Sequence, residues 1–286
     1  DLVRSRGLGD VYKRQIQNGT VADPDLAGIM MGLFLERALG RRRIFRPRPR
    51  AVVCVPAGLT QVEKAAFGHA FYAAGCRQVF LVERPRAAAV ALALPRHRPG
   101  GVLMLDVGRD LVEAAVVSMA SIVVERSHRG GGAEIDKAII RHIRSTYNLL
   151  VGEATAERIK KQYVSVRPDG DARFEVRGRD LISNLPNTVV VSSAEIAEAV
   201  LPAVEPVAAL VAEILADVSP EIAGDLVDAG LVLYGEGALL DGLAGYLTER
   251  TGLDITLAED PGAVTARGAG IICEDLAVYA AALEGI

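Results

Sequence analysis

The sequence predicts an α/β protein organised as two domains around a cleft. Strand-length apolar runs alternate with helical segments along the chain, and those runs are continuously apolar, as in sheets covered on both faces. The 286 residues suffice for one large or two ordinary domains, and paired helices with an inserted polar lobe favour two. Half of the residues are hydrophobic and 24% are charged, which fits a globular chain rather than a disordered one. A net charge of −4 gives no reason to expect a nucleic-acid partner.

The elements follow in order. Residues 1–15, DLVRSRGLGDVYKRQ, have neither helical nor strand period and no signal-peptide core; they read as a non-native leader. PDLAGIMMGLFLERAL (24–39) spaces its apolar side chains for a helix that closes at Gly40. GRRRIFRPRPR (40–50) is a basic, proline-punctuated stretch, read as a solvated linker. AVVCVP (51–56) is a buried strand. Thr60 with Glu63 makes a capping box for a helix through Ala74, with Val62, Ala66, Phe67, Ala70 and Phe71 on its packed side. Gly75 ends that helix, QVFLVE (78–83) is the next strand, and an alanine-rich helix covers 86–94.

Strands then fill 102–126, and helices are expected at about 133–147 and 153–163. RFEVRG and NTVVVS, within the polar stretch 166–191, suit an antiparallel pair on an inserted lobe. Ser192 with Glu195 caps a helix that should be interrupted near Pro202 and Pro206 before VAALVAEIL resumes it. LVLYGEG (231–237) is a buried strand entering a tight turn with a helix behind it, and AVTARGAGIIC opens a C-terminal helix.

Several chemistries find no support. Cys54, Cys76 and Cys273 have no metal-type spacing; they read as buried thiols of a reducing compartment. His69, His97, His128 and His142 are too scattered in sequence to suggest a metal site. No uninterrupted apolar run approaches the roughly 18 residues of a membrane span. No nucleophile elbow, P-loop or dinucleotide fingerprint is present.

One stretch does raise a site. LDVGRDLVEAAV (105–116) runs a strand into Asp106 and Gly108, which would place a carboxylate and bare backbone beside a phosphate. The turn then offers Arg109, Asp110 and Leu111, where such a turn wants glycines and a hydroxyl.

The order of RAVVCVPAGLTQVEKAA, QVFLVERPRAAAVALALP, LDVG, IDKAI, GEATAERIKKQY, FEVRGRDL, LVLYGEGALLDGL and AEDPGAVTARGAG resembles the MreB/Mbl family of bacterial actins, from about Ile16 onward. The resemblance implies an actin-like, ribonuclease-H-like fold of two domains with ATP and magnesium in the cleft between them. Residues 16–101 would form a first domain without the family's N-terminal strands. Residues 102–262 would form the second, with an inserted lobe at about 164–192, and 263–286 a helix returning to the first. It further implies a cytoplasmic, membrane-associated filament that organises the cell wall and rod shape. The partners would be further copies of the chain and membrane proteins of morphogenesis.

The same resemblance marks departures. The family has glycines where Arg109 and Asp110 stand, and a threonine in place of Leu111. A second carboxylate such as Asp110 would oppose a phosphate by about 4 kcal/mol for unit charges 4 Å apart at an effective dielectric of 20. Arg109 could offset part of that by clamping phosphate. The acidic position before the proline of the strand–helix junction, which positions the attacking water in the superfamily, is Arg84, and a guanidinium is no base. Glu157 and Lys160 match the family's ribose and adenine contacts. Gly235, Gly237 and Ala238 are kept in GEGALL, but Glu236 replaces a glycine and Tyr234 a small residue. Ala133 replaces an aspartate.

The expectation is therefore a MreB-like scaffold that does not hydrolyse ATP, with its nucleotide contacts falling on Asp106, Gly108, Arg109, Asp110, Glu157, Lys160 and 235–238. An ATP-dependent filament former, and more remotely a kinase-type enzyme on the same fold, are the other readings.

Overall fold

A computed structural model describes residues 16–17, 19–40, 48–94, 100–119 and 121–285. The leader 1–15, the core of the basic stretch (41–47) and His97 lie outside the described residues. The chain forms two compact units, one from the residues up to Leu94 together with Val264 onward, the other from Pro95–Ala263.

The first unit opens with an antiparallel pair, β1 (Ile16–Gln17) and β2 (Thr20–Val21), followed by α1 (Pro24–Leu39). Asp23 caps α1, its Oδ1 accepting from the amides of Asp25 at 3.0 Å and Leu26 at 3.1 Å. β3 (Arg50–Val55) and β4 (Gln78–Glu83) pair in parallel, joined by α2 (Gln61–Ala73), and β4 runs into α3 (Arg84–Ala91). Both hydrogen bonds of the Thr60–Glu63 capping box are present. Phe67 of α2 is buried with Val53, Val55, Val79 and Leu81 on one face of the sheet. Val62 is not on that face: it is 80% exposed. Five residues before Phe67, it lies about 140° round a helix of 3.6 residues per turn.

The second unit has a five-stranded sheet. β5 (Val102–Val107), β6 (Leu111–Ser118) and β7 (Ser121–Arg129) form an antiparallel meander. β11 (Leu231–Tyr234) and β12 (Ile255–Leu257) extend it in parallel from β5, giving the order β12-β11-β5-β6-β7. Between β7 and β11 run α4 (Gly132–Tyr147), β8 (Leu149–Leu150), α5 (Glu153–Tyr163), β9 (Arg173–Asp180), β10 (Pro186–Ser192), α6 (Ser193–Asp217) and α7 (Pro220–Ala229). The expected antiparallel pair is β9 with β10, and β8 completes its three-stranded sheet. α8 (Leu243–Thr251) stands between β11 and β12. Leu103, Leu105, Ile139, Ile143, Val211 and Leu233 lie at the centre of this unit's core.

One expectation fails at α6. It continues through Pro202 and Pro206 without interruption. Each proline removes one N–H donor, but Ile196, Val200, Val204, Val207 and Val211 form a buried stripe across both, and that packing holds the helix. By length and composition α6 also passes for a membrane span, although it contains no unbroken apolar run of that length; here its buried stripe belongs to the core.

The chain returns to the first unit as α9 (Val264–Glu274) and β13 (Glu284–Gly285), which pairs antiparallel with β4. Ile272 packs with Val82 and Ala87 on the sheet face opposite α2. Gly268 sits where any Cβ would collide with the carbonyl of Ala87, so α9 and α3 meet backbone to backbone. Of the three thiols expected to be buried, Cys76 is buried, Cys54 half-buried and Cys273 exposed. Ile272 takes the inward position on α9, and the next residue turns outward.

Candidate functional site

In the second unit, three sequence-distant turns converge. Asp106 is the penultimate residue of β5, 1% exposed, directly opposite Tyr234 of β11. The β5–β6 turn closes with the Gly108 amide donating to Leu111 O at 3.0 Å. Its carbonyls are taken by the glycine triplet at the head of α4: Gly132 N donates to Gly108 O at 3.1 Å, Ala133 N to Arg109 O at 2.8 Å, and Gly130 N to Asp110 O at 3.0 Å. The third turn, 235–239, lies on the β5 end, with Glu236–Leu239 in a 3-10 turn.

The retained glycines answer to the protein's own packing. Gly131 has φ 115°, and a Cβ there would strike the Gly108 carbonyl. Gly235 has φ 89°, and a Cβ there would strike Asp106 Oδ1 and come within 2.6 Å of Val107 O; Gly237 is packed against Val107 in the same way. The positions that the resemblance marks as departures are under no such constraint. Arg109, Asp110 and Glu236 all have ordinary negative φ, and the Arg109 and Asp110 side chains are 51% and 44% exposed.

Charges around these turns pair with one another. Arg109 reaches Glu153 of α5 at 3.5 Å and Asp110 at 3.9 Å. Lys160 bonds Asp136 of α4 at 2.8 Å and donates to Gly132 O at 2.9 Å. Glu157 pairs with Lys161 at 2.9 Å, a hydrogen bond that holds its carboxyl below the usual range. Burial holds the Asp136 carboxyl above its usual range, with Lys160 opposing. Glu236 acts electrostatically on Lys161. The cations Arg109, Lys160 and Lys161 thus share the neighbourhood with Asp106, Asp110, Asp136, Glu153, Glu157 and Glu236.

Leu111 is 7% exposed at the start of β6, packed inward. Arg84 lies in the first unit, at the start of α3, where it acts electrostatically on Cys54. The Cys54 thiol is pushed up to about 12, chiefly by burial. Glu83 is held by Arg86 at 2.7 Å. The sequence reading named neither Asp136 nor Glu153. Asp136 had a signal: it is an acid on the stripe formed by Ile135, Ala138, Ile139 and Ile143, where apolar residues are expected. Among the described residues no group of His, Cys, Asp and Glu could hold a metal ion.

The layered sheets and the turns gathered at the β5 end define an actin-like α/β protein. Solved structures share this architecture. MreB5 of Spiroplasma citri bound to ADP has a TM-score of 0.84 at 28% identity, covering 92% of this chain and 78% of that one; its AMPPNP complex gives 0.85 at the same identity, covering 93% and 80%. The MamK double helical filament, at 18% identity, matches in fold with a TM-score of 0.75, covering 96% of this chain and 89% of that one. In sequence, the cell shape-determining protein MreB of Escherichia coli (strain K12) is 40% identical over 258 residues, 90% of this chain and 74% of that protein. The cell shape-determining protein Mbl of Bacillus subtilis (strain 168) is 34% identical over 266 residues, 92% and 79%. The family described as MreB/Mbl protein matches residues 9–280, and the chain belongs to it. That match begins inside the stretch set aside as a leader.

Proposed function

We propose that this chain is a cell-shape scaffold of the MreB/Mbl family, cytoplasmic and self-associating, that assembles without turning over ATP. One observation carries the reading: the glycines retained around the site are those the protein's own backbone needs, and the glycines replaced are those only a ligand would need. A phosphate-binding turn requires bare amides at close range. Here the amides of Gly132 and Ala133 already donate to the carbonyls of the neighbouring turn, and Arg109 is engaged by two carboxylates. More carboxylates than cations around the turns make poor surroundings for a triphosphate. Leu111 cannot orient water or a metal-bound oxygen. Arg84 cannot accept a proton, and Glu83 is committed to Arg86. The phosphate side therefore does not fit ATP with magnesium, and no hydrolytic step is derived through it.

The competing reading is an ATP-dependent filament former. Its support is that MreB5 of Spiroplasma citri was solved with ADP and with AMPPNP. On that reading Arg109 leaves Glu153 and clamps phosphate. A kinase has no support, since no acceptor-site base can be named. Calorimetric titration with ATP and magnesium, alongside phosphate release and sedimentation, separates the two. A scaffold sediments equally with and without nucleotide and releases no phosphate. Phosphate release that is abolished by Asp106→Ala would establish the ATP-dependent reading instead.

A further inference from the structure

β10 reads PNTVVVS, with Thr188, Val189, Val190 and Val191 all β-branched and no charged residue in the strand. Runs of that composition pair readily with another extended chain. β10 is also an end strand of its sheet, and Val190 stands 56% exposed on it. An end strand offers its outer N–H and C=O groups to any strand that comes alongside.

The hairpin register says which groups those are. Asp180 N donates to Leu185 O at 2.9 Å, and the ladder continues with Pro186 opposite Arg179 and Asn187 opposite Gly178. Bonded and non-bonded pairs alternate along an antiparallel ladder, so Asn187, Val189 and Val191 turn their amides to β9. Positions 186, 188, 190 and 192 face outward. Position 186 is proline and has no N–H to give. The Thr188 amide donates to Oδ1 of Asn187 at 2.8 Å, and the Ser192 amide to Oε1 of Glu195 at 2.6 Å. Both acceptors are anchored: Asn187 Nδ2 donates to Asp180 at 3.4 Å, and the Tyr147 hydroxyl donates to Glu195 at 2.6 Å. Among the described residues, that leaves the Val190 amide open on this edge.

The far edge of the five-stranded sheet is treated alike. Counting from the bond between Gly130 N and Asp110 O, Glu125 of β7 turns its carbonyl outward. The Arg126 guanidinium donates to that carbonyl at 2.8 Å and is tethered to Asp217 at the end of α6.

We propose that the outer edge of β10 is sealed against strand addition by Pro186, Asn187 and Glu195, so that copies of this chain do not join through the lobe sheet. The strand kept out is the β10 of a second copy, which is uncharged and has the same run. It would find one amide to accept from instead of four, and the Asn187 and Glu195 oxygens already stand where its carbonyls would lie. Association between copies is thereby confined to side-chain surfaces, whether or not nucleotide binds.

The test opens the edge. Pro186→Thr with Asn187→Ala returns the outward amides of 186 and 188. Wild type, this double variant and the double variant carrying Val190→Lys are compared at matched concentrations, with circular dichroism checking the fold. Thioflavin fluorescence reads sheet-type association, and amide exchange at position 190 over a concentration series reads pairing at the edge itself. Wild type should bind no thioflavin, and its Val190 amide should exchange at one rate throughout. The opened variant should gain thioflavin signal, with exchange at 190 slowing about tenfold as concentration rises, the worth of one amide bond. Val190→Lys should abolish both effects, because a charge on an edge strand opposes pairing. An opened variant that behaves as wild type would overturn the proposal, as would a thioflavin gain that Val190→Lys leaves untouched. So would a wild type whose Val190 amide gains protection as copies associate, since the edge would then be a joint between them. That last measurement needs no variant to fold.

Discussion

The turn at Gly108–Leu111 and the triplet at Gly130–Gly132 press against each other and exchange backbone hydrogen bonds, yet beyond Gly108 the first carries side chains where the second is all glycine. Gly131 cannot change, because it has the Gly108 carbonyl where a side chain would go. The first turn can, because Arg109 and Asp110 stand outward with ordinary backbone angles. The turn around Gly235 repeats the contrast, with Glu236 substituted between two glycines that the β5 end holds fixed. On the proposed reading, residues that serve only a ligand are free to change, while residues that serve the fold are not.

The largest effect that tests this contrast is on stability. Gly131→Ala combines a left-handed φ with a backbone collision and should cost about 3 kcal/mol or more in chemical denaturation. A loss under about 1 kcal/mol would mean that packing does not explain why the triplet is kept. Next comes restoration: Arg109→Gly with Asp110→Gly should change stability by only about 1 kcal/mol while raising ATP affinity about tenfold in calorimetry. Unchanged affinity would place the defect elsewhere, with Leu111 or Glu236. The smallest effect is a titration. Because burial raises the Asp136 carboxyl and Lys160 opposes the shift, Lys160→Met should move its titration, followed by carboxyl carbon NMR, further up. With the folded value raised, the stabilisation from that proton is present below the unfolded value near 3.8 and is lost as pH rises through the folded value. In Lys160→Met that loss should come at higher pH.

Much of the fold was legible from local rules. Both capping boxes, Thr60 with Glu63 and Ser192 with Glu195, form as their spacing predicts. QVFLVE is the strand β4 without a residue's shift, and PDLAGIMMGLFLERAL is α1. What failed was set by tertiary packing. The prolines of α6 broke nothing because a buried stripe spans them, and Val62 and Cys273 lie on helix faces that composition does not reveal. For the site, the residues themselves were readable but their surroundings were not. Spacing placed Glu157 and Lys160 on one face of α5, whereas Lys160 turns to Asp136 on another helix and Glu157 to Lys161. Such a cross-helix pair has no sequence spacing to read.

The bare contact between Gly268 and Ala87 has a mechanical consequence. With no side chain as padding, α3 has no slack along α9, so the place where α3 starts, and with it residue 84, is gauged by a residue near the other end of the chain. An engineer who swaps Arg84 for an acid inherits that alignment unaltered, whereas a single methyl group added at 268 would shift the whole helix and carry position 84 along with it.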